Sequence, residues 1–378
     1  MKRWLLLCAA VFLGGASAAD TPKVIKHITI YSQAGRYGGW PANHGVWSWG
    51  DEIVVGFSAA YYQWIGPDRH PYDRSKPEEP YLAHTADGGE TWAIEPAPSL
   101  APPEGMYTAS GEGRKASELT EAIDFLRPGF CMTFRMTDAQ KGRSWFFYSY
   151  DRGKTWKGPF DFPMLGQKAI MARTDYLVNG QRDAMVFLTS AKAAGGEGRT
   201  FMAQTKDGGL HWEFVAWTVS DPGEGFTIMP STVRLSKTDL VTAVRHEDSH
   251  RKGPNWIDVY GSHDDGKTWQ YISRPAPDTG DHSGNPPSMV RLRDGRLAIT
   301  YGHRSPPFEI RGRLSSDGGR TWGKDIVLRE GGGSWDIGYT RTAQRADGKL
   351  VTSYYWAVEP MRERTIEATI WDPGSATK

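Results

Sequence analysis

Cysteine is almost missing from this 378-residue chain: Cys8 sits in an apolar amino-terminal run and Cys131 is alone in the remainder. Once a leader is removed no internal disulfide can form and thiolate clusters are excluded, so stability must come from a packed core. An excess of charge is missing too, with Lys+Arg 45 against Asp+Glu 44 and the basic residues dispersed. That excludes the electrostatic footprint of a nucleic-acid binder, and no polynucleotide partner is expected. The ten His residues lack short ligand spacings such as H-E-x-x-H, so no metal and no cofactor is expected. The one dense cluster, His246-Glu247-Asp248-Ser249-His250, reads as a solvated loop.

Long hydrophobic runs are lacking beyond the start of the chain. Lys2 and Arg3 precede the apolar stretch Trp4 to Leu13, which is too short to span a bilayer, and Ala16-Ser17-Ala18 then offers small residues to signal peptidase. Leu7 before Cys8 is not the small residue that lipidation needs. Residues 1–19 therefore read as a signal peptide and 20–378 as a single domain, secreted or periplasmic and free of the membrane after cleavage.

What the chain has in quantity is Gly 44, Pro 24, Trp 16, Tyr 16 and Phe 14. This is the composition of many turns joined by aromatic-rich strands, an all-β protein. Five segments share the pattern S/T-x-D-x-G-x-T-W: Thr85 to Trp92, Ser149 to Trp156, Thr205 to Trp212, Ser262 to Trp269 and Ser315 to Trp322, with His211 replacing Thr in the third. Their Asp residues, 87, 151, 207, 264 and 317, lie 64, 56, 57 and 53 positions apart, the period of propeller blades rather than of solenoid repeats. The chemistry is that of a turn: the carboxylate accepts backbone N–H bonds, the Gly supplies a positive φ and the Trp packs between strands.

Between these boxes runs a second repeat of two extended stretches around a turn. Its six copies are Val46 to Asp51 into Ile53 to Phe57, Phe125 to Gly129 into Cys131 to Phe134, Tyr176 to Gln181 into Ala184 to Leu188, Val233 to Lys237 into Leu240 to Val244, Met289 to Gly295 into Leu297 to Tyr301, and Ala343 to Gly348 into Leu350 to Tyr355. Taken as strands A and B, with each box hairpin as C and D, they make a six-bladed β-propeller of four-stranded antiparallel blades. Thr365 to Trp371 and an amino-terminal strand near Val24 to Tyr31 complete the sixth blade.

Because antiparallel strands alternate in direction, the A–B and C–D turns share one face and the functional mouth lies on the other. The boxes are thus structural. At the mouth the reading places Trp40, Asn43, His44, Tyr61 and Tyr62 from blade one, Asp124 and Arg135 from blade two, and Arg173, Asp175 and Lys192 from blade three. Blade four adds Arg245, His246 and Glu247, blade five His282, Asn285, His303 and Arg304, and blade six Tyr339, Arg341 and Trp356. Guanidinium forks beside aromatic rings suit an acidic sugar, the forks gripping a carboxylate and the rings stacking on the pyranose. Two Pro- and charge-rich insertions, Gln63 to Pro80 and Ala93 to Glu121, emerge on this side as candidates for a lid or a subunit contact.

The repeated Asp boxes and the blade count resemble the sialidase superfamily over nearly the whole mature chain. The resemblance implies a Tyr nucleophile opening the last blade, where Gly338-Tyr339-Thr340 stands, and carboxylate-binding arginines, matched by Arg245 and Arg304 after strand B of their blades. It also implies features this sequence lacks. Gly39-Trp40-Pro41 stands where the first arginine belongs, with Arg36 or Arg341 as substitutes. No Asp follows strand B of blade one in Ser58-Ala59-Ala60-Tyr61-Tyr62, the nearest acids being Asp68 and Asp73, and no Glu stands near Met229-Pro230-Ser231. In such a divergent branch Asp124, Asp175, Glu247 or His44 is expected to take over proton transfer. The expected activity is exo-glycoside hydrolysis at a terminal acidic sugar of a glycan. A uronate-directed lyase using Tyr339 with His44 or His282 is the alternative enzyme, and a non-catalytic glycan-binding propeller is the alternative without chemistry.

Overall fold

The computed structural model describes residues 21–101, 115–137, 142–248 and 255–376. Residues 1–20, which include the expected leader, the middle of the second insertion and the end of the His246 to His250 cluster lie outside the described residues. Six antiparallel sheets form six blades. In blade one Arg36–Gly39 and Val46–Trp49 both pair with Glu52–Tyr61, followed by Glu79–Thr85 and Ala93–Pro96. Between the two inner segments the short helix Pro41–His44 breaks the strand, with Trp40 left-handed at φ 55° and Pro41 supplying the fixed φ of a first helical position. The expected closure is present: Lys23–Tyr31 pairs with Arg364–Asp372, Val24 opposite Trp371 and Tyr31 opposite Ile366, so the two ends of the chain share blade six.

Blade two departs from expectation. It has three strands, Cys131–Met136, Ser144–Ser149 and Lys157–Phe162, and Phe125 to Gly129 forms turns instead of an inner strand. Asp124 accepts the Leu126 N–H at 3.1 Å and Pro128 has no N–H to give a ladder. Blade one borders that strand in its place: the Thr133 hydroxyl donates to His44 O at 2.8 Å and Trp47 Nε1 to Met132 O at 3.3 Å.

The box tryptophans pack between blades as well as between strands. Trp156 meets Trp47 of the preceding blade at 5.5 Å, Trp212 meets Phe162 at 5.4 Å and Trp269 meets Phe187 at 6.1 Å. Each box is a closed hydrogen-bond unit. In the second, Asp151 takes the Ser149 hydroxyl at 2.7 Å, the Thr155 N–H at 2.9 Å and the Thr155 hydroxyl at 2.6 Å. In the third, His211 Nδ1 reaches Asp207 at 2.6 Å where the others use threonine. The boxes also bond to the A–B turns, for example Gly88 N to Asp51 O and Gly208 N to Arg182 O, both at 2.9 Å. That fixes both turn sets on one face.

Burial raises Asp151, Asp207, Asp264 and Asp317, but the hydrogen bonds they accept outweigh it, and for Asp87 the Thr91 hydroxyl bond is the leading cause. All five carboxyls end below their usual range, Asp264 at about 2. A depressed carboxyl stabilises the fold above its unfolded pKa of about 4, and that stability is lost as pH falls through the folded value. Asp264→Asn is therefore expected to lower the melting temperature at pH 7 and to differ progressively less from the parent between about pH 4 and pH 2. Melting curves across that range check it, and a constant difference would overturn it.

Candidate functional site

Tyr339 stands at the head of strand Gly338–Gln344, where a bulge between Gly338 and Arg341 lifts it out of register. Gly338 has φ 100° and Tyr339 φ 51°, so the chain turns through left-handed space there. Asn285, wholly buried, holds the bend: its Oδ1 accepts the Tyr339 N–H at 2.8 Å and its Nδ2 donates to Ile337 O at 2.9 Å. A Cβ on residue 338 would lie 2.5 Å from both Asn285 terminal atoms, so only glycine fits.

Around the phenol gather three guanidiniums. Arg245 Nη1 donates to Tyr339 Oη at 3.2 Å, while its Nε is tied to Ser283 O at 2.7 Å. Arg304, 2% exposed, lies 5.3 Å from the Tyr339 ring centre and donates to Tyr355 Oη at 2.6 Å and His282 O at 3.1 Å. Arg173 pairs with Glu197 at 2.7 Å and donates from Nε to Asn43 Oδ1 at 3.1 Å. Burial alone would raise the Tyr339 phenol, but Arg245, Arg304 and Arg173 outweigh it against the opposing Glu197 and hold it below the ordinary tyrosine value.

These groups line a cleft of about 600 Å³ together with Asp68, Arg69, His70, Arg74, His282, Ser283 and Trp335. The first insertion thus forms one wall. It is pinned by Trp335 Nε1 to Pro67 O at 2.7 Å, by His282 Nε2 to Asp68 at 3.2 Å and by His70 Nδ1 to Asp336 at 2.6 Å. His282 stacks on Trp335 at 4.0 Å with parallel rings. The carboxylates in the cleft are Asp68 and Glu197. Among the described residues no group of three His, Cys, Asp or Glu could hold a metal ion.

Of the residues named from the sequence, Tyr339, Arg173, Arg245, Arg304 and His282 meet in this cleft. Asn43 borders it through Arg173, and Trp40 packs edge-on against His70 at 5.3 Å. Others are elsewhere. Asp124 belongs to the opposite face, accepting Gln181 Nε2 from an A–B turn at 3.0 Å, because the strand meant to carry it to the mouth is absent. Asp175 is tied between blades to the Thr232 N–H at 3.2 Å and hydroxyl at 2.8 Å, and burial pushes it up to about 7. His44 is buried against the Ser58 hydroxyl at 2.9 Å, and burial, with Arg135 and Arg341 beside it, pushes the imidazole well below its ordinary value. Glu247 is buried in the ladder opposite Phe226 and Asn255. His303 bonds to Ser305 O at 3.1 Å, outside the cleft wall. Neither proposed substitute for the missing arginine lines the cleft: Arg36 pairs with Glu79 at 2.5 Å, and Arg341 donates to Ala42 O at 2.5 Å and Thr174 O at 2.9 Å. Arg173 is the third cation instead.

Sequence reasoning missed His70, Glu197, Trp335 and Asp336. The usable signals were the Trp335-Asp336 pair just before Gly338-Tyr339 and the single His in an insertion already suspected as a lid. Met229, which stands where the resemblance calls for Glu, is also left-handed at φ 54° and places Sδ 3.6 Å from Arg245 Nη1.

A family model described as a BNR repeat-like domain matches residues 135–352. The chain belongs to this family. Among solved structures, a Dyadobacter fermentans protein of unknown function shares the fold of this BNR propeller with a TM-score of 0.67 at 19% identity, covering 93% of this chain and 99% of that one. A Penicillium chrysogenum α-L-arabinanase complexed with arabinobiose aligns at TM-score 0.60 and 12% identity over 92% and 98% of the two chains. A Trypanosoma rangeli sialidase aligns at TM-score 0.56 and 12% identity, over 88% of this chain and 55% of that one. No curated protein matches the sequence. At these identities the likeness is one of fold, the sialidase-like propeller.

Proposed function

We propose that this BNR propeller is an exported exo-glycoside hydrolase that removes a terminal acidic sugar from a glycan. The reading is carried by the convergence of Arg173, Arg245 and Arg304 on the phenol of Tyr339. The cations recognise a sugar carboxylate, and in lowering the phenol they make its oxygen a better nucleophile at the anomeric carbon. A tyrosine suits that role because an anionic carboxylate nucleophile would be repelled by the sugar's own carboxylate. Fold relatives that bind sialic acid or arabinobiose support action on a glycan. Glu197, the cleft carboxylate close enough to oppose the phenol's shift, accepts the tyrosine proton.

The absence of an Asp after strand B of blade one and the Met in place of Glu favour a uronic acid, or a deoxysugar attached to one, over sialic acid. Aryl sialosides are therefore expected to be poor substrates and glycans with uronate termini better ones. A kcat/KM above about 10⁴ M⁻¹s⁻¹ on an aryl sialoside would overturn that preference. The lyase reading draws on the same lowered phenol, acting as a base while the arginines neutralise the carboxylate. New absorbance from an unsaturated uronate would select it, and glycan binding without turnover would select the non-catalytic propeller.

A further inference from the structure

The hydrolase reading needs a group to protonate the departing oxygen, and the acid that the resemblance calls for after blade one is absent. We propose that His70, held by the buried Asp336, donates this proton from Nε2 and later takes one from the incoming water. The proposal rests on the hydrolase reading.

Asp336 has a side chain 1% exposed, yet it is fully engaged as an acceptor. It takes Tyr37 Oη at 3.2 Å, Tyr355 Oη at 2.7 Å, Arg364 Nε at 3.2 Å and His70 Nδ1 at 2.6 Å. Burial works against its charge, but His70, Arg364 and Arg304 prevail and hold it far below the ordinary carboxylate range. An ionised carboxylate can only accept, so this contact assigns a proton to Nδ1 and leaves Nε2 as the nitrogen that exchanges. Nε2 has no protein partner among the described residues and is not a buried atom, and the quarter of the side chain that is exposed lies in the cleft wall. Trp40, edge-on at 5.3 Å, and Trp335, at 5.2 Å, fix the ring between them. A buried Asp orienting an imidazole whose far nitrogen faces the substrate is the arrangement used for general acid–base transfer in unrelated hydrolases. Of the two cleft carboxylates, Asp68 is paired with His282, and Glu197, beside Arg173, takes the tyrosine proton, which leaves the departing oxygen to His70.

The steps balance. In the first, His70 enters as the imidazolium with a proton on each nitrogen; the bond from anomeric carbon to leaving oxygen breaks and the bond to Tyr339 Oη forms, the tyrosine proton goes to Glu197 and the Nε2 proton to the leaving oxygen, which leaves neutral His70 protonated at Nδ1. In the second, water attacks the anomeric carbon, its proton goes to Nε2, and Tyr339 departs and recovers its proton from Glu197. Asp336 is a positioning residue and keeps its charge throughout.

On any glycoside that the parent enzyme cleaves, His70→Gln is expected to lower kcat/KM about 10²- to 10⁴-fold when the leaving group is a sugar alcohol. With dinitrophenolate, which departs without a proton, the loss should be under about tenfold. Asp336→Asn should show the same dependence on leaving group. Equal losses of His70→Gln on both substrates, or none on either, would overturn the proposal. If the parent cleaves no glycoside, the hydrolase reading fails by itself, and nitrogen NMR of the parent protein then decides the dyad. A neutral form of His70 that carries its one proton on Nδ1 supports it, and a neutral form that carries it on Nε2 instead overturns it.

Discussion

Tyr339→Phe is expected to lose at least about a hundredfold in kcat while folding normally, the scale seen when a nucleophile or proton-transfer group is deleted. Folding should survive because the backbone features that build the site do not involve the hydroxyl: Asn285 clamps the Tyr339 N–H, Gly338 makes the turn, and the ring packs on Tyr355 at 5.8 Å, which Phe can reproduce. What the substitution removes is the oxygen that Arg245 contacts and that the guanidiniums lower. The measurement is steady-state kinetics on the preferred substrate together with a melting curve. A folded variant with near-normal turnover would end the assignment of Tyr339 in both the hydrolase and the lyase readings.

Arg245→Ala is expected to weaken productive binding by about 2 kcal/mol or more, roughly thirtyfold in kcat/KM, because a desolvated pair with a carboxylate is among the stronger polar contacts. Arg245 is 4% exposed and its Nε and Nη1 are committed to Ser283, Met229 and Tyr339. The Nη2 edge, which has no protein partner among the described residues, is left to grip an anion in the cleft. The same variant removes the leading cation from the phenol, so the Tyr339 titration should move to higher pH. Arg304→Lys tests the second fork without emptying its buried site: an ammonium with three donors cannot serve Tyr355, His282, Ile337 and a carboxylate at once, and a comparable loss is expected. Unchanged kcat/KM in both variants would put the arginines outside the site.

Which residues line the cleft was only partly legible in the sequence, and the division follows contact range. Arg245 and Arg304 were readable because each stands at the mouth end of strand B of a blade whose hairpin is local, Arg245 inside Leu240–Glu247 and Arg304 just past Leu297–His303, and Tyr339 because it opens the last blade. Arg173 was named only as one of many mouth residues, since nothing local tells a cation facing the cleft from Arg341, which turns inward to carbonyls of blades one and three. Asp124 and His44 read as mouth residues by strand counting. Blade two has no inner strand to carry the first, and the helix Pro41–His44 turns the second into the interior.

The sequence by itself determined the propeller, its six blades, the shared closing blade and the face on which the mouth opens. All of these follow from short-range rules: an Asp-box turn closes its hydrogen bonds within four residues, a hairpin sets its own register, and strand alternation does the rest. Only the tertiary structure decided what the cleft is made of. His70 meets Asp336 across 266 positions, Arg173 meets Asn43 across 130 and Arg245 meets Tyr339 across 94. Such pairs are chosen by how a closed ring of blades aims its loops and by which charges it can bury together, and no periodicity along the chain records that choice.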